Sequence, residues 1–221
     1  MFTHVNQPPI PTLIQNTKPN GTRTYEVPNN KVYPSITTIL GDGDKPWLTN
    51  WRNVLGDKRA DKETKRCAIR GTAIHKMAEL YVKNIPIDFR KYLPAHVRDF
   101  NKLKTQLNAM DNIAAQEIAL YSDRLKVAGT VDCIAEYNGT PSIIDYKTST
   151  NVKTKDMVTD YFCQLTFYAI AWHELTGNSI ENIVVMMTVE NGLLPIVFVE
   201  RIENWIPLLL SKIAVFQAKH K

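Results

Sequence analysis

Asn138-Gly139 separates two runs of β-prone residues, 130–137 and 140–146, and this pattern restricts the fold of the chain more than any other. Asn-Gly between two such runs is the strongest short signal for a β-hairpin with a two-residue loop. The loop fixes the register, because each step outward along one strand is matched by one step along the other. The sequence therefore predicts which side chains face one another across the hairpin.

Asp132 and Asp145 are opposite each other in this register, with Cβ atoms about 5 Å apart. Lys147 lies two residues beyond Asp145, so strand alternation places it on the same face. Two opposed carboxylates destabilise a hairpin unless a cation or a shared proton neutralises them. Carboxylate oxygens suit hard ions such as Mg²⁺ or Mn²⁺. The pattern thus indicates a divalent-metal site with a catalytic lysine beside it.

The alternative is a pair of solvated carboxylates on an exposed hairpin face. Two isoleucines, Ile134 and Ile143, share the predicted face of the aspartates, and the other face also carries apolar residues, namely Val131, Cys133 and Ile144. A strand that is apolar on both sides is covered on both sides. We therefore expect the aspartates at the rim of a core, which favours the metal site.

The composition is that of one ordinary globular domain, with 221 residues, 44% hydrophobic and 22% charged. No apolar run approaches the roughly 18 residues of a membrane span. Neither a secretion signal nor a transit peptide is evident at the N-terminus, so we expect a cytoplasmic protein without a membrane partner. Three scattered cysteines argue against a four-cysteine zinc or iron–sulfur site. The net charge of +5 suits a polyanionic partner.

The organisation along the chain is predicted to be an extended or poorly ordered arm over 1–22 and a single domain over 23–221. A small hairpin is expected within 23–33, followed by Ser35 as the N-cap of a short helix. Further on, hydrophobic periodicity predicts an order of elements that is typical of a mixed α/β sandwich. The expected elements are a helix that ends near Lys83, helices over about 96–112, 156–175 and 203–219, and strands over 115–121, 183–190 and 195–199 besides the hairpin.

Two helical motifs have an ordinary interpretation as well as a functional one. His75 shares a helix face with Gly71 and Glu79, and the glycine would let a backbone or a ligand approach closely. A lone histidine is more often a plain surface or core residue. Gln164 and Tyr168 also share one helix face, and by themselves they are more simply the polar edge of a buried helix.

Two further features stay open. Glu117 in the first predicted strand is a metal ligand, a group that orients a ligand, or a salt-bridge partner. The segment 45–70 mixes many cations with Trp47 and Trp51. Basic charge neutralises phosphates and aromatic rings stack on unpaired bases. A solvated basic helix with its tryptophans in the core accounts for the same pattern equally well.

Taken together, these residues resemble the PD-(D/E)XK nuclease superfamily, in particular its RecB-like branch. The matching motifs occur in the order Gly71-x-x-x-His75, Glu117, Gly129-Thr130-Val131-Asp132, Asp145-Tyr146-Lys147-Thr148-Ser149 and Gln164-x-x-x-Tyr168. Upstream, Tyr33-Pro34-Ser35-Ile36-Thr37 is similar to mitochondrial genome maintenance exonucleases and their stand-alone phage relatives.

The resemblance implies an α+β fold, a restriction-endonuclease-like αβββαβ core over 67–200 with a mixed sheet flanked by helices. It also implies that Asp132, Asp145 and the Tyr146 carbonyl bind Mg²⁺ or Mn²⁺, and that His75 completes or shapes this metal site. Lys147 would orient or deprotonate the attacking water. The residues expected to contact DNA are Gln164, Tyr168, Ser35, Trp47, Trp51, Arg70, Thr148 and Ser149.

The activity implied by the resemblance is that of a monomeric, metal-dependent exonuclease without an iron–sulfur cluster. Its substrate would be single-stranded DNA, including flaps or duplex ends, threaded through a helical arch over 36–66. If the gene is phage-borne, the enzyme would act in the host cytoplasm. The alternatives are a structure-specific or restriction-type endonuclease on the same core, a catalytically silent DNA-binding module, or a nuclease subunit of a helicase complex.

Overall fold

Two β-sheets and six α-helices make up the computed structural model, which describes residues 1–6 and 8–220. The strands are β1 (Ile14–Thr17), β2 (Arg23–Val27), β3 (Lys31–Pro34), β4 (Met110–Ser122), β5 (Val127–Tyr137), β6 (Thr140–Ser149), β7 (Asn182–Val189) and β8 (Ile196–Arg201). The helices are α1 (Ile36–Gly41), α2 (Pro46–Leu55), α3 (Asp57–Val82), α4 (Pro94–Leu107), α5 (Thr159–Thr176) and α6 (Ile206–Lys219). No described helix is long and apolar enough to cross a bilayer.

The central sheet has the strand order β4-β5-β6-β7-β8, in which β6 and β7 are parallel and the other neighbours antiparallel. Helix α5 connects the two parallel strands, as such a crossover requires. Helices α3 and α4 cover one face of the sheet, and α5 and α6 cover the other. The predicted αβββαβ core is confirmed, with β8 as an additional antiparallel edge strand.

The β5–β6 hairpin has the predicted register at every residue pair of its hydrogen-bonded ladder. Residues pair from Tyr137 and Thr140 at the loop to Cys133 and Ile144, and the ladder passes Pro141 without a shift. The loop residues Asn138-Gly139 both have positive φ, 49° and 75°, as a type I′ turn requires. The ladder ends one step before the aspartates.

The face assignment of Val131 was wrong. The side chain lies in the cluster beneath α5 together with Ile134 and Ile143, and not with Cys133 on the opposite face. Strand alternation is therefore broken between positions 131 and 133. The β4–β5 pairing is interrupted at the same level, opposite Glu117, whose φ is 51°.

The predicted helix over 96–112 ends at Leu107, and β4 starts at Met110 instead of residue 115. A register shift lies between Asp111 and Ala115, and Asn112 has a φ of 47°. A bulge of this kind adds a residue to one strand and interrupts the two-residue alternation that identifies strands in a sequence. The start of the strand was therefore mistaken for the end of a helix.

Residues 14–17 add a third strand to the predicted hairpin of β2 and β3. This small sheet packs on Ala128 at the start of β5. Ser35 then caps α1, with its hydroxyl accepting the Thr38 N–H at 3.0 Å. The sheet and α1 are thereby fixed beside the first residues of β5, where they form one wall of the cavity described next.

Helix α2 packs mainly on α3 and has no buried residue. Trp47 is 67% exposed and Trp51 is half-buried, so the interpretation with both tryptophans in the core is wrong for Trp47. The threading arch over 36–66 stays a prediction.

Candidate active site

A cavity of about 570 Å³ opens between α3, the N-terminal sheet, the hairpin and α5. It brings together eight of the side chains proposed from the sequence, which are Ser35, His75, Glu117, Asp132, Asp145, Lys147, Gln164 and Tyr168. These residues come from six elements, which are the N-cap of α1, α3, β4, β5, β6 and α5. The order of motifs along the sequence is thus converted into one site.

The centre of the cavity is the ion pair between Asp145 and Lys147. The Lys147 ammonium lies 2.8 Å from Oδ1 and 2.7 Å from Oδ2 of Asp145. Burial raises the pKa of Asp145 to about 6, against the opposing effect of Lys147. Desolvation acts to lower the pKa of Lys147, but Asp145 and Asp132 outweigh it and the net shift is upward. Lys147 is therefore an ammonium ion at neutral pH in the metal-free protein.

Asp132 is joined to both β6 and α3. Its Oδ2 accepts the backbone N–H of Tyr146 at 2.8 Å and lies 3.4 Å from Nδ1 of His75. The Tyr146 side chain points away into the core beneath α3 and α4, where it is buried. The predicted metal contact of Tyr146 concerns its backbone carbonyl and stays a prediction.

Glu117 joins His75 and Asp132 in a group whose ligand atoms lie within 4.8 Å of one another. Its φ of 51° is the left-handed conformation that non-glycine residues rarely adopt. The surrounding cavity wall reduces hydration of the carboxyl and raises the pKa of Glu117 to about 7, with further contributions from Asp132 and Glu79. Of the three interpretations of Glu117, the geometry favours a metal ligand.

The side chains present fit a hard divalent cation. His75, Glu117 and Asp132 offer two carboxylates and one imidazole nitrogen, and Asp145 adds a third carboxylate to the same cavity, a mixture suited to Mg²⁺ or Mn²⁺. Oδ2 of Asp145 is buried and has no well-directed hydrogen bond within the described residues, although the ammonium of Lys147 is close. The ammonium compensates the charge of this oxygen in the metal-free protein, so a metal ion bound by Asp145 would share the carboxylate with Lys147.

A short chain of hydrogen bonds extends from Lys147 to α5. The ammonium donates to Oε1 of Gln164 at 3.3 Å, and Nε2 of Gln164 donates to the Tyr168 hydroxyl at 3.2 Å. Gly129 makes room for this tyrosine, because a Cβ there would lie 3.0 Å from the Tyr168 ring. Gln164 and Tyr168 thus face the cavity, which favours the functional interpretation over a mere polar helix edge.

Arg70 does not reach the cavity, so its predicted contact with DNA is contradicted. The side chain is 2% exposed, its Nε donates to Asp99 at 2.7 Å and its Nη1 donates to the Ser149 carbonyl. Ser149 is buried too, and its hydroxyl donates to the carbonyl of Asn151, which contradicts its predicted DNA contact as well. Both residues hold α3, α4 and β6 together.

Three residues with predicted DNA contacts lie outside the cavity lining, and the explanation predicted for Gly71 changes. Trp47, Trp51 and Thr148 do not line the cavity, and their contacts with DNA stay predictions. A Cβ at Gly71 would lie 3.5 Å from Oγ1 of Thr148, an ordinary contact, so close packing does not require glycine there.

The N-terminal wall contains site residues that the sequence did not reveal. Gln15, Arg23 and Tyr25 line the cavity, and the Tyr25 hydroxyl lies 2.8 Å from Oε1 of Gln15 and 3.0 Å from Oγ1 of Thr130. These residues are about a hundred positions from the hairpin and carry no local motif. Thr72 and Lys76 on α3 were also missed, although Thr72 lies three residues before His75 and this helical spacing offered a signal.

Comparison with known proteins agrees with this geometry. The family model of the PD-(D/E)XK nuclease superfamily matches residues 85–192, a span that contains Asp132, Asp145 and Lys147 on the hairpin. Over these residues, just under half of its length, the chain is similar to the PD-(D/E)XK nuclease superfamily. Nucleases of this superfamily act on nucleic acid with divalent metal ions, in keeping with the donor set of the cavity. His75 precedes the matched span.

One relative is the mouse (Mus musculus) mitochondrial genome maintenance exonuclease 1, which is 27% identical over 131 residues. The match covers 54% of this chain and 38% of that protein, so the chain spans about two fifths of the relative's length.

Proposed function

We propose that this protein is a PD-(D/E)XK nuclease, and that it is a divalent-metal-dependent DNA exonuclease that prefers single-stranded DNA. The observation that carries the proposal is the Asp145–Lys147 ion pair, set beside Asp132, Glu117 and His75 in one open cavity. Support for the exonuclease mode comes from the name of the mouse relative, and support for single strands comes from the exposed Trp47 on a basic segment.

The carboxylates and His75 would hold Mg²⁺ or Mn²⁺, with the Tyr146 carbonyl as a further ligand. Such an ion lowers the pKa of a bound water and offsets charge on a phosphodiester. Lys147 is held by Asp145 and Gln164, so its ammonium can donate to the attacking water or to a phosphate oxygen. In the metal-free protein Lys147 is protonated and acts as a hydrogen-bond donor. It can accept a proton only after it has lost its own, which requires that the charge of the adjacent carboxylates be neutralised.

The test is digestion of end-labelled single-stranded DNA with Mg²⁺ or Mn²⁺, with covalently closed single-stranded circles as the comparison substrate. We expect release of short products from the linear strand and little cutting of the circles. Rapid cutting of the circles would instead identify an endonuclease. Lys147→Ala and Asp145→Asn should abolish digestion, whereas Lys155→Ala, a lysine outside the cavity, should digest like the wild type.

If Lys147→Ala digests DNA as fast as the wild type, the catalytic assignment is wrong. If the wild type binds but never cleaves DNA under any metal condition, the protein is a silent binding module. The monomeric state, the cytoplasmic location and the division into an arm over 1–22 and a domain over 23–221 stay proposals from the sequence.

A further inference from the structure

A second groove, of about 520 Å³, lies beside the catalytic cavity, between α3 and the segment that leads into α4. Its lining combines apolar, aromatic and basic residues, which are Ala68, Ile69, Thr72, Ala73, Lys76, Lys91, Tyr92, Leu93 and His96. Ile69 is 53% exposed and Leu93 is 61% exposed. Adjacent exposed side chains of this size often mark a binding surface.

The groove adjoins the catalytic cavity. Thr72 and Lys76, one turn apart on α3, line both, so they form the ridge between the two spaces. The Lys76 ammonium donates to Glu79 on the cavity side at 2.7 Å. This hydrogen bond raises the pKa of Lys76, and Tyr92 on the groove side adds to the effect. A chain that leaves the cavity across this ridge enters the groove.

The chemistry of the groove matches unpaired nucleotides better than a duplex or a protein helix. Tyr92 adds a half-buried aromatic ring to an otherwise largely apolar lining, and single-stranded nucleic acid binds aromatic side chains through base stacking. Lys91 at the rim has no ion pair, and the Tyr92 hydroxyl has no hydrogen bond, within residues 1–6 and 8–220. Both groups are therefore available to a ligand that carries phosphates.

We propose that this groove binds an unpaired nucleotide of the DNA strand adjacent to the nucleotide being hydrolysed, with its base against Tyr92 and its phosphate near Lys91. The inference rests on the proposed function, because it assigns the path of the same substrate. The groove then acts as a positioning site that makes affinity depend on strand length.

The test compares oligothymidylates of increasing length with the mononucleotide ester thymidine 5′-(4-nitrophenyl phosphate), which is too short to span both spaces. Dissociation constants for the oligonucleotides are measured by fluorescence anisotropy with Ca²⁺, and hydrolysis of the ester with Mn²⁺. Tyr92→Leu should weaken binding of the longer strands by about fivefold or more, because one stacked base is lost. Hydrolysis of the ester should be unchanged.

Tyr92→Phe should bind like the wild type, because stacking needs the ring and not the hydroxyl. Lys91→Gln should weaken binding of every long strand and reduce its salt dependence by about one counterion. The matched control is Phe89→Leu, an aromatic residue in the same segment that is 44% exposed but does not line the groove. This variant should bind all lengths like the wild type.

The proposal is overturned if Tyr92→Leu binds strands of every length with the same dissociation constants as the wild type. An equal loss on the ester would overturn it as well, since that reports damage to the cavity itself. Tyr92 packs partly against the core, so a second measurement avoids mutation altogether. DNA with 5-iodouracil next to the terminal nucleotide should photo-cross-link to Tyr92 in the wild type, and cross-links confined to other segments would contradict the groove.

Failure of the proposed function has a separate signature. In that case the wild type hydrolyses neither the oligonucleotides nor the ester, whatever the length-dependent binding shows.

Discussion

Asp132 accepts the backbone N–H of Tyr146 at 2.8 Å, one step beyond the last pair of the β5–β6 ladder. The carboxylate thus continues the connection between the two strands where backbone pairing stops. It also contributes charge to the catalytic cavity, because it lies near His75 and raises the pKa of Asp145. One side chain therefore has a structural contact and an electrostatic effect that mutagenesis can separate.

We expect Asp132→Asn to fold with a stability close to that of the wild type and to lose about 100-fold or more of DNA hydrolysis. Asparagine keeps an oxygen that can accept the Tyr146 N–H but lacks the charge that a metal requires. Asp132→Ala should lose the activity and also about 1 kcal/mol of unfolding free energy, because the hydrogen bond is absent. Urea denaturation and the digestion assay measure the two effects. Equal stability of the Asn and Ala variants would contradict the structural role.

The hairpin and its site could be predicted because their signals are local. An Asn-Gly loop fixes the register, and alternation then brings Asp145 and Lys147 to one face without any knowledge of the remaining fold. The N-terminal wall with Arg23 and Tyr25 could not be predicted in this way, because only tertiary packing brings it to β5.

Two errors have physical causes that a single sequence does not show. Arg70 sits among many surface cations of α3, and its burial depends on Asp99, which is 29 residues away. Val131 follows the alternation rule in sequence but not in the structure, because the pairing beside Glu117 is broken. A bulged or strained strand at a site therefore defeats periodicity at the very residues of interest.

The left-handed backbone at Glu117 predicts an unusual order of stability among variants at this position. At an ordinary strand position glycine is less stable than alanine by about 0.5–1 kcal/mol. At a φ of 51° a Cβ is disfavoured by about 1–2 kcal/mol, so Glu117→Gly should be at least as stable as Glu117→Ala. Thermal and urea denaturation compare the two variants. Ala119→Gly, two residues along the same strand, is the control and should show the ordinary loss.

Metal binding should strengthen as the pH rises from 5 to 8. Burial raises the pKa of Asp145 to about 6, and reduced hydration raises that of Glu117 to about 7. The folded protein holds these protons more tightly than the unfolded chain does, so their contribution to stability is present at low pH and lost as the pH rises through 6 and 7. Mn²⁺ competes with the same protons for the carboxylates.

The increase in melting temperature caused by Mn²⁺, relative to EDTA, should therefore grow between pH 5 and pH 8. Differential scanning fluorimetry at several pH values gives this increment directly. In Asp145→Asn the increment should be small at every pH, whereas Lys155→Ala should follow the wild type. An increment that stays constant over the range would show that these carboxylates do not bind the ion.

Arg70 should stabilise the fold without contributing to DNA affinity. Its Nε donates to Asp99 at 2.7 Å in a buried pair, and Lys102 also contacts Asp99 at 3.0 Å. Removal of Arg70 leaves a buried carboxylate with only the lysine, so Arg70→Met should cost about 3 kcal/mol of unfolding free energy. The exposed Arg98→Met on α4 is the matched control and should cost little. Loss of DNA affinity by folded Arg70→Met would contradict the structural assignment.

Trp47 should contribute to the preference for single strands. The indole is 67% exposed on α2, a helix with no buried residue, so its loss should not affect the stability of the core. A base stacked on an aromatic ring accounts for about 1–3 kcal/mol, and Trp47→Ala should therefore weaken single-strand binding about fivefold or more while duplex binding is unchanged. Val54→Ala on the same helix, 81% exposed, is the control. Equal losses for Trp47→Ala on both DNA forms would rule out stacking by α2 as the source of selectivity.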